Sequence, residues 1–294
     1  MTKQNFTILS TDCYIDAEYR QAFIDAGLGN IEDVFEFTGG KQLIKSNIGS
    51  FRTRIQFDIP GMDGCFFMKR YTNPPISKQV KNWLSHGKHA SMAHFDHSAA
   101  DELSKAGINT PKTIAFGEQW NGFFEKKSFC ITEQIPNAEA LERQLPDCFK
   151  NDSPDKSTPE SSIRSEKLNK RRQFICDLAE FVRKFHDTGF RHRDLYLSHI
   201  FYDDRRMFHL IDLARCFKPA ILSKRYRVKD IAQLFYSAPG SIFTHADRMR
   251  FYKALACVRK IKSSDKLFIR KIIRKANRIA THDIKHGRKV PFAT

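Results

Sequence analysis

The chain has 294 residues, with 50 Lys and Arg against 33 Asp and Glu, giving a formal net charge of +17 and a pI near 9.6. A hydrophobic fraction of 41 % with 26 Phe excludes a disordered polycation and is enough for a real core in one large domain or two lobes sharing a cleft. No apolar run approaches the roughly 20 residues of a membrane span, no leader is visible, and the seven Cys form no C-x-x-C pair, so disulfide and zinc readings give way to free thiols in a reducing cytosol.

In chain order, Phe51–Ile59 alternates apolar residues (Phe51, Thr53, Ile55, Phe57, Ile59) with Arg52, Arg54, Gln56 and Asp58, the period-two pattern of a half-buried strand. A turn at Pro60–Gly64 leads into a second strand, Cys65–Tyr71. A helix is predicted over about His89–Ala106, ending at Gly107, and two strands near Lys112–Phe116 and Ser128–Glu133. Asp147–Ser165, rich in Ser, Pro, Asp and Lys, reads as a flexible polar insertion. A long helix through Leu168–Phe185 follows, then a hairpin (His199–Tyr202, Met207–Ile211) and an all-helical remainder. The expected architecture is α+β and bilobal, with a small antiparallel-sheet N-lobe (1–134) and a larger helical C-lobe (135–294).

Three motifs carry chemistry, and their order along the chain, strand lysine, catalytic loop and strand-terminal carboxylate, marks a protein-kinase-like fold. His192-Arg193-Asp194-Leu195 matches the kinase catalytic loop, in which the Asp accepts the proton of the substrate hydroxyl. Alone, it reads equally well as a solvated basic loop. Met207–Leu213 is an apolar strand ending in Asp212, a carboxylate costly to desolvate unless it meets a cation such as Mg²⁺. Lys69 alternates among apolar residues on its strand, as the lysine that contacts the α- and β-phosphates of ATP does. The catalytic candidates are therefore Asp194, Lys69 and Arg193.

Supporting positions follow from the same pattern. The phosphate-covering loop falls at Lys45–Ser50, with Ser46, Asn47 and Gly49 in place of a G-x-G-x-x-G cradle. The lysine's acidic partner is expected on the following helix, with Glu102 favoured slightly over Asp96. Glu133 and Ile135 would form the adenine-binding hinge. Metal ligands are Asp212 and, where the kinase pattern has Asn, His199.

His186–His199, Leu210–Leu213 and Arg227–Ser237, with Gly107–Pro111, Ala115–Glu118 and Phe129–Ile135 earlier in the chain, resemble the lipopolysaccharide kinase family, the Kdo/WaaP-type sugar kinases. The form H-R-D-x-Y-x-x-H is the most specific part. The resemblance implies ATP and Mg²⁺ as cofactors and a heptose or Kdo hydroxyl of the lipopolysaccharide inner core, or a related glycolipid, as acceptor. It implies a cytoplasmic enzyme, peripheral on the inner face of the inner membrane. The positive charge suits an anionic membrane surface, notably on a terminal helix carrying Arg270, Lys271 and Arg274, although a helix packed on its lobe with a solvated basic face reads the same way. Rival readings are a soluble small-molecule kinase, disfavoured by Arg193 and His199, and a pseudokinase-type regulatory protein, disfavoured by Lys69, Asp194 and Asp212. Nucleic acid is not expected, since no helix-turn-helix, zinc finger or RNP-like motif is present.

Overall fold

A computed structural model describes residues 5–43, 50–149 and 161–293. The elements are β1 (Phe6–Ser10), β2 (Cys13–Asp16), α1 (Arg20–Asp25), α2 (Ile31–Glu36), β3 (Lys41–Gln42), β4 (Arg52–Phe57), β5 (Phe66–Thr72), α3 (Ile76–His86), α4 (Met92–Lys105), β6 (Thr113–Asn121), β7 (Phe124–Glu133), β8 (Ala138–Ala140), α5 (Leu141–Phe149), α6 (Ser161–Asp187), β9 (Ile200–Asp203), β10 (Phe208–Leu210), α7 (Ser223–Ser237), α8 (His245–Ala256) and α9 (Ser263–Lys285). They form two compact units, Met1–Pro136 with Asp212–Phe217, and Asn137–Ile211 with Lys218–Thr294. The metal-ligand candidate Asp212 thus belongs with the N-terminal strands, whereas the sequence reading divides the chain once, after residue 134.

The first unit is an antiparallel seven-stranded sheet in the order β1-β2-β6-β7-β5-β4-β3. Alternation along β5 sorts its side chains. Phe66 and Met68 enter a core with Ile55, Phe57, Phe129 and Ile131 and with Phe23, Leu28 and Val34 from the α1–α2 region. Lys69 and Tyr71 point to the opposite face, where Tyr71 packs with Ala93 of α4 and Cys130 of β7. Arg70, on the core side, donates to the carbonyls of Phe35 (3.3 Å) and Phe37 (2.6 Å) and ties the α2 segment to the sheet. Burial pushes its guanidinium down to about 10.

Helix α4 starts at Met92, three residues later than expected, because the Ser91 hydroxyl caps it by accepting the His94 N–H at 3.0 Å. Gly107 lies just past its end at φ +79°, a left-handed position suited to glycine. At Gly117 a Cβ would lie 2.6 Å from the Asp12 carbonyl, so only glycine lets β6 pass β2 so closely.

The second unit joins a three-stranded sheet, β10-β9-β8, to helices α5–α9. The expected polar insertion is helical at both described ends, in α5 and α6, while residues 150–160 lie outside the described residues. Helix α9 is packed through Ile272, Ala276 and Ala280, leaving Arg270, Lys271 and Arg274 exposed. Ile175, Leu178, Ile231, Leu234, Phe243 and Ile272 help line an apolar cavity of about 490 Å³ among α6–α9. Among the described residues no helix is long and apolar enough to cross a membrane. Of the thiols, Cys13, Cys130 and Cys216 are buried and Cys257 is exposed.

Candidate active site

In the first unit, Lys69 Nζ stands 3.0 Å from both carboxylate oxygens of Asp96 on α4. This corrects the preference for Glu102. Six residues separate the two acids, which carries Glu102 about 240° round the helix at 3.6 residues per turn. Asp96 is buried against the sheet, whereas Glu102 is exposed. Tyr71 donates its hydroxyl to Asp96 Oδ2 at 3.0 Å. Burial and the neighbouring Asp96 keep that phenol protonated by raising it well above its ordinary value, so it can only donate to the carboxylate.

On the same face β4 contributes two residues that sequence reasoning assigned only to a polar side. Arg54 is the cross-strand partner of Lys69, and Arg52 of Tyr71. Arg54 Nη2 lies 3.1 Å from both oxygens of Asp212, Arg52 Nη2 3.3 Å from Oδ1, and Lys69 Nζ 3.6 Å from Oδ1. Adjacent like charges across two strands repel. Here Asp212 bridges all three cations and Asp96 pairs with Lys69. Asp212 sits in the left-handed region at φ 57°, which costs a non-glycine residue roughly 1–3 kcal/mol.

The expected hinge residues lie at the end of β7. Glu133 accepts the Tyr19 hydroxyl at 2.9 Å, and its N–H reaches the Lys112 carbonyl at 2.9 Å. Gln134 N–H donates to Cys65 O at 2.8 Å, and Ile135 is buried. Ser46, Asn47 and Gly49 lie outside the described residues.

In the second unit the catalytic-loop motif is suspended from one face of α7. The fully buried Asp230 accepts the backbone N–H groups of His192 (2.9 Å) and Arg193 (2.8 Å). His186 Nε2 is 3.2 Å from the same carboxylate, and burial holds that imidazole below its usual pKa despite the acid. One turn on, Gln233 Oε1 accepts Leu195 N–H (3.3 Å), while its Nε2 reaches Asp194 Oδ1 (3.4 Å) and the Tyr196 hydroxyl (3.1 Å). A further turn on, Ser237 Oγ accepts Leu197 N–H at 3.0 Å. Positions 230, 233 and 237 share one helical stripe, so successive turns of α7 meet successive stretches of extended loop.

This anchorage accounts for Arg193, held at φ 70° by Asp230 on its N–H and by Lys229 on its carbonyl. Lys229 Nζ also lies 3.8 Å from Asp194 Oδ1. His199 Nδ1 is 2.7 Å from the Asp194 carbonyl. A carbonyl only accepts, so Nδ1 carries the proton and the neutral ring's lone pair is on Nε2. His192 Nε2 likewise donates to Ile211 O at 3.0 Å. Sequence reasoning had no place for Asp230, Gln233 or Ser237. Their signal was three polar residues at i, i+3 and i+7 on the otherwise apolar second half of the helix.

The profile described as "Lipopolysaccharide kinase (Kdo/WaaP) family" matches residues 65–255. The chain is 29 % identical over 245 residues to the lipopolysaccharide core heptose(I) kinase WaaP of Escherichia coli K12, covering 80 % of this chain and 87 % of that protein. It is 29 % identical over 135 residues to the 3-deoxy-D-manno-octulosonic acid kinase of Vibrio cholerae, 46 % of this chain and 48 % of that one. Its fold matches a solved structure, WaaP in complex with acyl carrier protein, at a TM-score of 0.64 and 22 % identity over 87 % of this chain and 96 % of that one. The match over most of the chain, including both the strand lysine and the loop hung from α7, shows that this protein belongs to the lipopolysaccharide kinase (Kdo/WaaP) family.

Proposed function

We propose that this kinase transfers the γ-phosphate of ATP to a hydroxyl of an inner-core sugar of lipopolysaccharide, heptose or Kdo, at the cytoplasmic face of the inner membrane. The observation that carries the reading is family membership over residues 65–255, which takes in Lys69, Asp194 and Asp212. Phosphoryl transfer passes through a loose transition state, so catalysis is mostly positioning and charge stabilisation. Asp194 is assigned the proton of the attacking sugar hydroxyl. Gln233 and Lys229 orient that carboxylate, and the α7 anchorage removes the loop's freedom to drift. Arg193 serves as part of this fixed loop. Lys69, aimed by Asp96 and Tyr71, is assigned to the nucleotide phosphates, and the main chain at Glu133–Ile135 to adenine.

Mg²⁺ takes one or two carboxylates and completes its shell with phosphate oxygens and water, and the Asp212 carboxylate suits that donor set. His199, whose Nδ1 donates to the loop carbonyl, stands where the kinase pattern has its second metal ligand. Bound there, the cation would neutralise charge on the phosphates. Only ten residues separate Asp212 from the start of α7, too few for the long activation segment that supports a peptide substrate, which favours a glycan acceptor. The exposed Arg270, Lys271 and Arg274 supply a positive face toward anionic lipid.

The test is ADP release with Mg²⁺-ATP and dephosphorylated lipopolysaccharide, comparing wild type with Asp194→Ala. Acceptor-dependent turnover should fall by about 10²–10⁴-fold in the variant. Nucleotide binding without turnover on any core sugar would overturn the acceptor assignment. An inert protein that binds no nucleotide would favour a pseudokinase.

A further inference from the structure

The basic face of β4 has a charge balance that the ion pairs alone do not explain. Three cations, Arg52, Arg54 and Lys69, converge on two carboxylates, Asp96 and Asp212, leaving one positive charge in excess. The three side chains are only 18–19 % exposed, so the excess is poorly relieved by solvent. Both arginines also hold a buried Nε–H with no hydrogen-bond partner among the described residues. A buried donor left unmatched is costly, and two on guanidinium forks that already share one carboxylate suit an oxyanion with several acceptors.

We propose that Arg52 and Arg54 are phosphate-binding residues of this enzyme, gripping the β- and γ-phosphates of the nucleoside triphosphate, with Asp212 as the carboxylate they exchange for it. This rests on the kinase reading above. A carboxylate and a phosphate present similar acceptors to a guanidinium, and Asp212 occupies the arginines through Nη2. Passing those donors to phosphate leaves the Asp212 oxygens for the divalent cation. The Lys69–Asp96 pair, braced by Tyr71, stays in place throughout.

The decisive measurement is the affinity of the whole protein for ATP, ADP and adenosine, by titration calorimetry or ligand-observed NMR without acceptor. Wild type, Arg52→Met, Arg54→Met and Arg54→Lys are compared. Each Met variant should weaken ATP and ADP by about 10- to 100-fold and leave adenosine unchanged, and Arg54→Lys should recover part of the loss. Equal losses for adenosine would make the arginines structural and overturn the proposal, as would unchanged or tighter ATP binding. A raised KM for the glycan with normal ATP affinity would assign the arginines to acceptor phosphates and also overturn it. Failure of the wild type itself to bind ATP would instead overturn the kinase reading, and this inference with it.

Discussion

The two clusters assigned to catalysis are built on opposite principles. The catalytic loop of the second unit hangs from α7 by hydrogen bonds from its own backbone: His192 and Arg193 to Asp230, Leu195 to Gln233, Leu197 to Ser237. The cluster on β4 and β5 is held by charged side-chain ends, with Arg52, Arg54 and Lys69 sharing Asp212 and Lys69 also pairing with Asp96. Backbone anchorage leaves one arrangement, because an unmatched buried N–H is expensive. Charge pairing with an excess cation and unmatched Nε donors admits a second partner. The proposed reaction asks for both: a base that stays put and a phosphate site that exchanges ions.

The largest test of that contrast is Asp230→Ala. It strands two backbone N–H groups and the buried His186, so stability should drop by about 3–5 kcal/mol. That is a fall of about 10 °C in the thermal midpoint for a chain of this size. Turnover should fall more than 10²-fold as the loop loses its position, while ATP affinity, on the proposal that residues of the first unit bind the nucleotide, stays near wild type. A variant with normal kcat would show that α7 does not hold the loop.

A second test concerns the frame under Asp96. Glu125 is buried beside the start of α4, accepting Met92 N–H (2.8 Å) and the Ser128 hydroxyl (2.5 Å). Burial, outweighing those bonds, pushes its carboxyl up to about 7 from an ordinary 4.5. The folded state therefore holds a proton that the unfolded chain releases between about pH 4.5 and pH 7. Stability from this group is full below 4.5 and declines as pH rises through that window, by about 3 kcal/mol at most. Glu125→Gln should flatten the slope of urea midpoints against pH, and an unchanged slope would remove Glu125 as its source.

The smallest expected effect is Gln233→Ala. The lost acceptor for Leu195 N–H should cost about 1–2 kcal/mol in urea unfolding. The loosened Asp194 should lower kcat about tenfold, with KM for ATP unchanged. A KM effect without a kcat effect would place Gln233 outside the catalytic loop's support.

Several features were legible because they are linear. The strand Arg52–Phe57, the long α6 and the β9–β10 hairpin follow from periodicity, and Lys69, Asp194 and Asp212 from short motifs in a fixed order. Helix α3 and the first 40 residues, whose strands and helices are only four to six residues long, were not read as elements. Segments that short take their conformation from neighbours in space more than from their own propensity. Asp230, Gln233 and Ser237 look like a solvent stripe until the loop they bind is known.

The sequence by itself determined the family, the order of strand lysine, catalytic loop and strand-terminal carboxylate, and which residues of β4 and β5 share a face, because motifs and pleat are local. Only the tertiary structure decided that Lys69 pairs with Asp96 rather than Glu102, that Arg52 and Arg54 face Asp212 rather than water, and that α7 carries the loop. Each of those depends on which way a helix is turned or on what covers a strand face. Rotation and cover are set by packing between residues up to 160 positions apart, as Arg52 and Asp212 are, and no local pattern encodes them.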